Sequence, residues 1–267
     1  MTEKTTIAQK KVIILSNKQI AKDCYKLILS PAPFLLKISP GQFVHIRIGD
    51  GISPFLRRPF SISKVTENGV EIIYKVVGRG TKLLTTLKKG EQLDILGVLG
   101  KGFRIDESKK THFLIGGGVG VAPLVFLAQK IAQKINKASI LVFLGFETSN
   151  KVICLEEFPK KAVLYLATED GSFGYKGLVS HLFQEYLNKV PLAQDAIIYA
   201  CGPVPMLKAV VELAFTQNIP TQVLLESIIG CGVGVCRGCV IKGKKGYLRV
   251  CKEGPVFDAK EVLMEEL

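Results

Sequence analysis

A chain of 267 residues, 48% hydrophobic and 22% charged, has the length for two modest domains and the composition of an ordinary folded protein. No apolar run reaches the roughly 18–20 residues of a membrane span, and residues 1–11 are polar, so a cytoplasmic protein with neither signal nor membrane span is expected. The net charge of +13 sits almost wholly in residues 1–110, where 20 Lys and Arg face 9 Asp and Glu, scattered singly and without a basic helix or an aromatic-studded RNA-binding pattern, which favours a solvated basic face over nucleic-acid binding.

Residues 11–100 read as β-rich. Short β-branched runs at 11–15, 25–29, 43–48, 72–77 and 92–96 are punctuated by Pro31, Pro33, Pro40-Gly41, Asn68-Gly69 and Gly90. That spacing predicts a sandwich or barrel, interrupted by one helical stretch over 81–87. From residue 111 the rhythm becomes strand and helix in alternation. Strands are predicted at 113–115, 140–144, 162–166, 196–200 and 222–225. Helices are predicted at 122–135, 177–187 and 206–215, with a shorter one near 156–158. Such alternation gives a parallel sheet covered on both faces. The remainder, 230–267, is rich in Gly and Cys and has little core of its own, so it needs a metal staple.

Seven cysteines divide into two kinds. Cys24, Cys154 and Cys201 stand alone in apolar surroundings, as buried free thiols do. Cys231, Cys236, Cys239 and Cys251 crowd together as C-x4-C-x2-C-x11-C, which favours metal over disulfides in a chain with no secretion signal. The first two intervals are those of plant-type [2Fe–2S] ferredoxins. One loop wraps a flat two-iron rhomb, and Gly230, Gly232, Gly234 and Gly238 let backbone amides approach the sulfurs. A structural zinc site of the same four cysteines is the alternative, although only Cys236 and Cys239 have the spacing of a zinc knuckle.

Three loops are candidates for a dinucleotide. Gly116, Gly117, Gly118 and Gly120, followed by Pro123, lie between a predicted strand and helix, where bare N–H groups and the helix dipole suit a pyrophosphate. The pattern is not G-x-G-x-x-G, and a purely structural turn is the other reading. Cys201, Gly202, Pro203 and Met206 follow a second strand, and Thr168-Glu169-Asp170-Gly171-Ser172 a third. Ligands of open α/β sheets bind outside the carboxyl ends of the strands. The acidic pair is either a ribose partner or a solvated loop. In the β-rich part, Arg58, Pro59, Phe60 and Ser61 offer a guanidinium for phosphate, a ring and a hydroxyl. Gly80 and Thr81 open a helix. From the residues alone these remain open, since an arginine beside a strand is most often a surface residue.

Taken in this order, the motifs resemble the ferredoxin-reductase superfamily, a β-barrel FAD domain followed by a nicotinamide-nucleotide α/β domain. Arg58-Pro59-Phe60-Ser61 is similar to its flavin motif, Gly80-Thr81 to its pyrophosphate turn, and Ile73, Tyr74 and Lys75 to the strand lining the flavin. Within it, Glu226, the run from Cys231 to Val240 and the run from Cys251 to Phe257 resemble the electron-transfer subunits of dihydroorotate dehydrogenase B. Phe60 stands where those subunits commonly carry an aliphatic residue, and the stretch before Cys251 is shorter than in some of them. The resemblance implies domains over 1–108 (FAD), 109–226 (NAD) and 227–267 ([2Fe–2S]). It also implies hydride transfer from NADH to FAD, and single electrons passed on through the cluster.

The implied partner is an FMN-containing dihydroorotate dehydrogenase catalytic subunit of pyrimidine biosynthesis, two of each forming a heterotetramer, with flow from dihydroorotate to NAD+. The base acting on dihydroorotate would belong to that partner. No catalytic residue is assigned here, and His45, His112 and His181 read as structural. Two other functions stay in view. One is a reductase subunit of a hydrogenase-type or electron-bifurcating ferredoxin–NADP complex, and the other is a zinc-stabilised binding module.

Overall fold

The computed structural model describes residues 7–36, 38–49, 51, 53–190 and 195–267. Of the polar stretch predicted over 1–11, the first six residues lie outside these. The amino-terminal part is an antiparallel sheet of seven strands: β1 (Ala8–Ala21), β2 (Cys24–Leu29), β3 (Phe43–Arg47), β4 (Arg58–Ser61), β5 (Lys64–Thr66), β6 (Gly69–Lys75) and β7 (Gln92–Leu99). Two short helices, α1 (Pro33–Leu36) and α2 (Arg79–Leu84), lie between them. The spatial order is β4-β3-β7-β1-β2-β6-β5. Alternation drives it: in β1, Val12 and Ile14 are buried while Lys11 and Ile13 face out.

The expected β-barrel domain is present, in the form of a half-barrel: among the described residues no backbone ladder joins β4 to β5 or β6. The seam is packed by side chains instead, with the Phe60 ring edge-on to Tyr74 at 5.9 Å. β4 and β5 were not predicted as strands. β4 is an edge strand, where the missing N–H of Pro59 costs no ladder bond.

The second unit has β8 (Thr111–Gly117), α3 (Val121–Lys134), β9 (Ser139–Phe146), β10 (Val163–Thr168), β11 (Tyr175–Lys176), α4 (Val179–Lys189), β12 (Ala196–Cys201), α5 (Val204–Thr216) and β13 (Thr221–Leu224). The five predicted strands and three helices are all present. The brief helix expected near 156–158 is a single 3-10 turn, Leu155–Glu157. α4 starts two residues later than expected because Tyr175 and Lys176 pair with β10 as β11. The order is β11-β10-β9-β8-β12-β13, all parallel. β8, β9 and β12 are buried on both faces and so read as nearly continuous apolar runs.

The cysteine-rich end does not stand apart. After the hairpin β14 (Val240–Gly243) and β15 (Gly246–Arg249), β16 (Val256–Asp258) pairs antiparallel with β13 and extends the α/β sheet. Cys239, Val250, Cys251 and Phe257 share one apolar core with Phe113, Phe143 and Phe183. Burying each such aromatic contributes about 1.5–3 kcal/mol.

The two main units are also locked together. Phe126 of α3 sits in the half-barrel core, and Lys26 of β2 bonds to Glu157 at 2.5 Å and lies 3.8 Å from Glu71. Burial opposes the charge on Lys26, yet the hydrogen bond from its ammonium to Glu157 raises its pKa overall.

Candidate functional site

The open seam of the half-barrel is a cavity of about 570 Å3. Arg58, Pro59, Phe60 and Ser61 from β4 line one side, Ile73, Tyr74 and Lys75 from β6 the other, with Thr81, Pro123 and Cys201 completing it. The Arg58 guanidinium folds back on its own turn, donating to the carbonyls of Leu56 and Arg57 through Nη1. Its fork lies across Gly80, where an added Cβ would come 3.0 Å from Arg58 Nε. Gly80 therefore seats the arginine and does not itself line the cavity.

Phe60 is buried and turned toward the half-barrel core. Tyr74 donates its hydroxyl to Asn17 Oδ1 at 3.0 Å, and burial pushes its pKa well above the usual phenol value. Both rings are therefore mostly covered, although their residues line the seam. The Thr81 hydroxyl accepts the N–H groups of Val77 (3.0 Å) and Gly78 (3.2 Å) and donates to the Gly78 carbonyl, so Thr81 offers a phosphate its backbone amide alone.

A second cavity, about 870 Å3, opens at the carboxyl ends of the parallel strands. Gly117, Gly118, Gly120, Gly202, Pro203 and Met206 line it. Gly116 lines neither cavity, because it packs under Leu124 and Val121. The two loops interlock. A Cβ at Gly117 would meet Met206 and Pro203 at 2.8 Å, and one at Gly202 would reach the Gly117 nitrogen at 2.9 Å. Gly118 differs: it has φ +53° and nothing within 4 Å of an added Cβ, so its left-handed turn presents bare backbone to the cavity.

Glu169 lines the cavity, whereas Asp170 accepts bonds from Ser172 N–H and Oγ at 3.0 and 2.6 Å. That Oγ–H bond leads the causes that lower the Asp170 pKa. Lys22, Lys75 and Lys151 line the cavity from the half-barrel side and the edge of the α/β unit, with Glu147 among them ion-paired to Lys151 and 3.9 Å from Lys75.

The two cavities share Lys75, Val119, Gly120, Leu225 and Glu226, so they are two ends of one crevice. Glu226 remains reachable by solvent through the crevice but is walled by protein, and that burial raises its carboxyl pKa. The wall of the smaller cavity continues through Ser227, Ile228 and Ile229 directly to Cys231.

The four clustered cysteines come together in pairs. The amide of Cys236 points at Cys231 Sγ, and that of Cys251 at Cys239 Sγ, each at 3.5 Å; Gly238 N–H points at Cys236 Sγ at the same distance. Burial raises the Cys231 pKa, but the amides of Cys236, Val233 and Val235 outweigh it and bring the thiol down to about 6. An added Cβ at Gly230 or Gly238 would find the Cys236 sulfur at 3.4 or 3.7 Å, so the glycines clear the sulfur face.

Among the described residues no three His, Cys, Asp or Glu side chains converge as a single-ion site. Two thiol pairs with amides aimed at sulfur fit a two-iron cluster, which takes two ligands per iron, better than one tetrahedral zinc.

The matching family models fall on these same parts. The iron–sulfur cluster binding domain of dihydroorotate dehydrogenase B matches residues 226–263, and the oxidoreductase NAD-binding domain matches 114–212. The chain is 42% identical to the dihydroorotate dehydrogenase B (NAD(+)) electron transfer subunit of Fusobacterium nucleatum, over 93% of this chain and 96% of that protein. It is 38% identical to the subunit of the same name from Bacillus cereus, over 95% and 98%.

The chain belongs to the dihydroorotate dehydrogenase B electron transfer subunits.

As a member it is an oxidoreductase subunit with a cluster-binding domain, an NAD-binding domain and the family's FAD unit. Among solved structures, the NADH-dependent reduced ferredoxin-NADP oxidoreductase matches with a TM-score of 0.85 at 29% identity, covering 96% of this chain and 91% of that one. A ferredoxin reductase of carbazole 1,9a-dioxygenase, at 22% identity, TM-score 0.69 and coverage of 80% and 67%, shares the fold. No helix among the described residues is long and apolar enough to cross a membrane.

Several residues of this electron transfer subunit's site escaped the motif reading. Lys22 and Lys151 are isolated in sequence and reach the crevice only through the docking of the two units. Arg249 binds Glu253 through Nε at 2.9 Å and through Nη2, and donates from Nη1 to the Gly234 carbonyl at 2.9 Å. It thereby ties the turn bearing Cys251 to the loop bearing Cys231 and Cys236. A basic residue two positions before a cysteine carries no such message in sequence.

Proposed function

We propose that this chain relays electrons among NAD(H) in the larger end of the crevice, FAD in the half-barrel seam, and a [2Fe–2S] cluster on Cys231, Cys236, Cys239 and Cys251. The acceptor or donor beyond the cluster is an FMN-containing dihydroorotate dehydrogenase catalytic subunit, two of each chain forming a cytoplasmic heterotetramer. The domains divide near residues 108 and 226. The observation that carries the reading is the continuity of the crevice: five residues belong to both cavities, and Ser227–Ile229 lead from the flavin end to the first cysteine. When bound, the flavin accepts the hydride pair and releases electrons singly to the iron–sulfur centre.

The residues supply the geometry for this. Gly118 and the neighbouring loop amides take the dinucleotide phosphates, Glu169 takes a ribose hydroxyl, and Arg58 takes the flavin phosphates from its seat on Gly80. An acidic group at the ribose disfavours a 2′-phosphate, which supports NAD over NADP. Exposed apolar side chains flank the cysteines, with Ile228 and Val235 82% and 79% accessible and Tyr247 76%. They form the face on which the catalytic subunit docks, beside the most exposed ligand, Cys236.

The test is an anaerobic titration of the purified chain with NADH, followed by visible and EPR spectroscopy. Flavin and iron–sulfur bands that bleach together, with an S = 1/2 signal, are expected. Zinc in place of iron would overturn the cluster assignment. Adding the catalytic subunit separates this reading from the ferredoxin–NADP relative, since electrons from dihydroorotate should then reduce the cluster.

A further inference from the structure

His45 stands in the middle of β3, fully buried, among buried Phe43, Val44 and Ile46. Placing an imidazole there strips it of water. Neither Nδ1 nor Nε2 has a hydrogen-bond partner. The backbones of Arg57 and Ile229 come close enough to favour the protonated ring, but neither completes a bond. Burial prevails and brings the pKa down to about 4, so at neutral pH the ring is uncharged and carries a single N–H. Buried polar groups are nearly always paired, and two orphaned nitrogens on one ring call for a partner.

The direction of the ring indicates what that partner is. His45 lines neither half of the crevice, so it is not aimed at flavin or nicotinamide. Nδ1 faces Gly232, where an added Cβ would sit 3.0 Å from it, with Leu99 closing the other side at 3.0 Å. Gly232 has φ +75° and follows Cys231 directly. The imidazole and Leu99 thus lie together beneath the turn that follows the first cysteine. From behind, the Arg57 guanidinium steadies this strand, donating to the His45 carbonyl at 3.4 Å and to Asp94.

We propose that His45 is a positioning residue for the iron–sulfur centre, its Nδ1–H donating to sulfur at the Cys231 corner and holding that corner against β3 on the flavin side. The inference rests on the assignment of the cluster to the four cysteines. Hydrogen bonds to sulfur stabilise the reduced, more negative centre and so raise its potential.

The experiment uses the full chain with its cofactors, grown with 15N-histidine and reduced anaerobically. Pulsed EPR should detect weak coupling of the cluster spin to one imidazole nitrogen, lost in His45→Asn and in His45→Leu. His112 and His181 are not confusable sources, since the first is stacked on Tyr199 and the second lines the nucleotide end of the crevice. In a redox titration of the same signal, His45→Leu should shift the midpoint to more negative values while the flavin midpoint stays put. His45→Asn, whose amide N–H replaces Nδ1–H, should restore most of the shift.

A normal cluster signal without histidine coupling overturns the inference and leaves the cluster assignment standing, as does exchangeable-proton coupling alone, which would put water on the ring. A chain without iron or signal would instead sink the assignment. Should His45→Leu lose its cofactors, the labelled wild-type chain decides alone.

Discussion

At Gly120 an added Cβ would lie 2.5 Å from the Cys201 carbonyl oxygen and 2.7 Å from its carbon. At Gly230 and Gly238, among the described residues, the one heavy atom such a Cβ would meet within 4 Å beyond its chain neighbours is the Cys236 sulfur. The nucleotide loop therefore owes most of its glycines to the protein itself: β8–α3 and β12–α5 cross so closely that a methyl group cannot pass between their backbones. The cluster loop divides its glycines: Gly230 and Gly238 face sulfur, whereas Gly232 (φ +75°) packs on His45 and Leu99, and Gly234 (φ +82°) on Lys252, which an added Cβ would meet at 2.6 Å. Its other contacts include the amides aimed at the thiols and Arg249 on the Gly234 carbonyl. One site is built by packing before any cofactor arrives, while the other is completed by what its cysteines bind.

The sharpest way to break that contrast is Cys236→Ser. We expect the cluster and its EPR signal to vanish and electron delivery to the catalytic subunit to cease, while NADH still bleaches the flavin. Loss of flavin reduction as well would show that the crevice depends on the cluster loop. Next comes Gly120→Ala, where a backbone must move. Overpacking of this kind costs about 2–3 kcal/mol, a fall of about 5–10 °C in Tm for a chain this size. Calorimetry checks it against Gly118→Ala, which meets no atom and should cost only about 1–2 kcal/mol of left-handed strain, yet raise the KM for NADH.

At the flavin end, Arg58→Ala should weaken FAD retention about tenfold, or ~1.4 kcal/mol, measured by flavin release on dilution. Unchanged retention would remove Arg58 from the phosphate site.

The same contrast explains what was readable in the residues. The β8–α3 loop, the alternation behind the parallel sheet and the four cysteines are local patterns, and each is where the spacing put it. β4 and β5 were missed because four- and three-residue strands, one containing Pro59, carry too little pattern. β16 was missed because its partner β13 lies far away in sequence. Gly80 and Thr81 drew attention as a phosphate turn, and both are largely occupied with the protein, one under Arg58 and the other in bonds to its own loop. His45 and Arg249 were silent for a different reason. Their meaning lies in what folds against them, and a single histidine in an apolar strand looks like any structural residue.

The smallest expected effect probes how firmly protein contacts alone hold the cluster segment. Arg249 accounts for the low pKa of Glu253, about 2, chiefly through the hydrogen bond to its carboxylate. A carboxyl whose folded value is depressed adds stability above its unfolded value of about 4.3, and loses it as pH falls through the folded one. Both side chains keep over a quarter of their surface in water, so screening reduces the contribution to about 0.5–1 kcal/mol. Urea unfolding of wild type and Glu253→Gln should differ by that amount at pH 6. The gap should narrow below pH about 4.3 and close near pH 2. A gap that persists at low pH would mean that Glu253 acts through packing. One much above 1 kcal/mol at pH 6 would mean that the Arg249 clasp fixes the cluster loop in advance, which would make the two glycine-rich loops more alike than their contacts suggest.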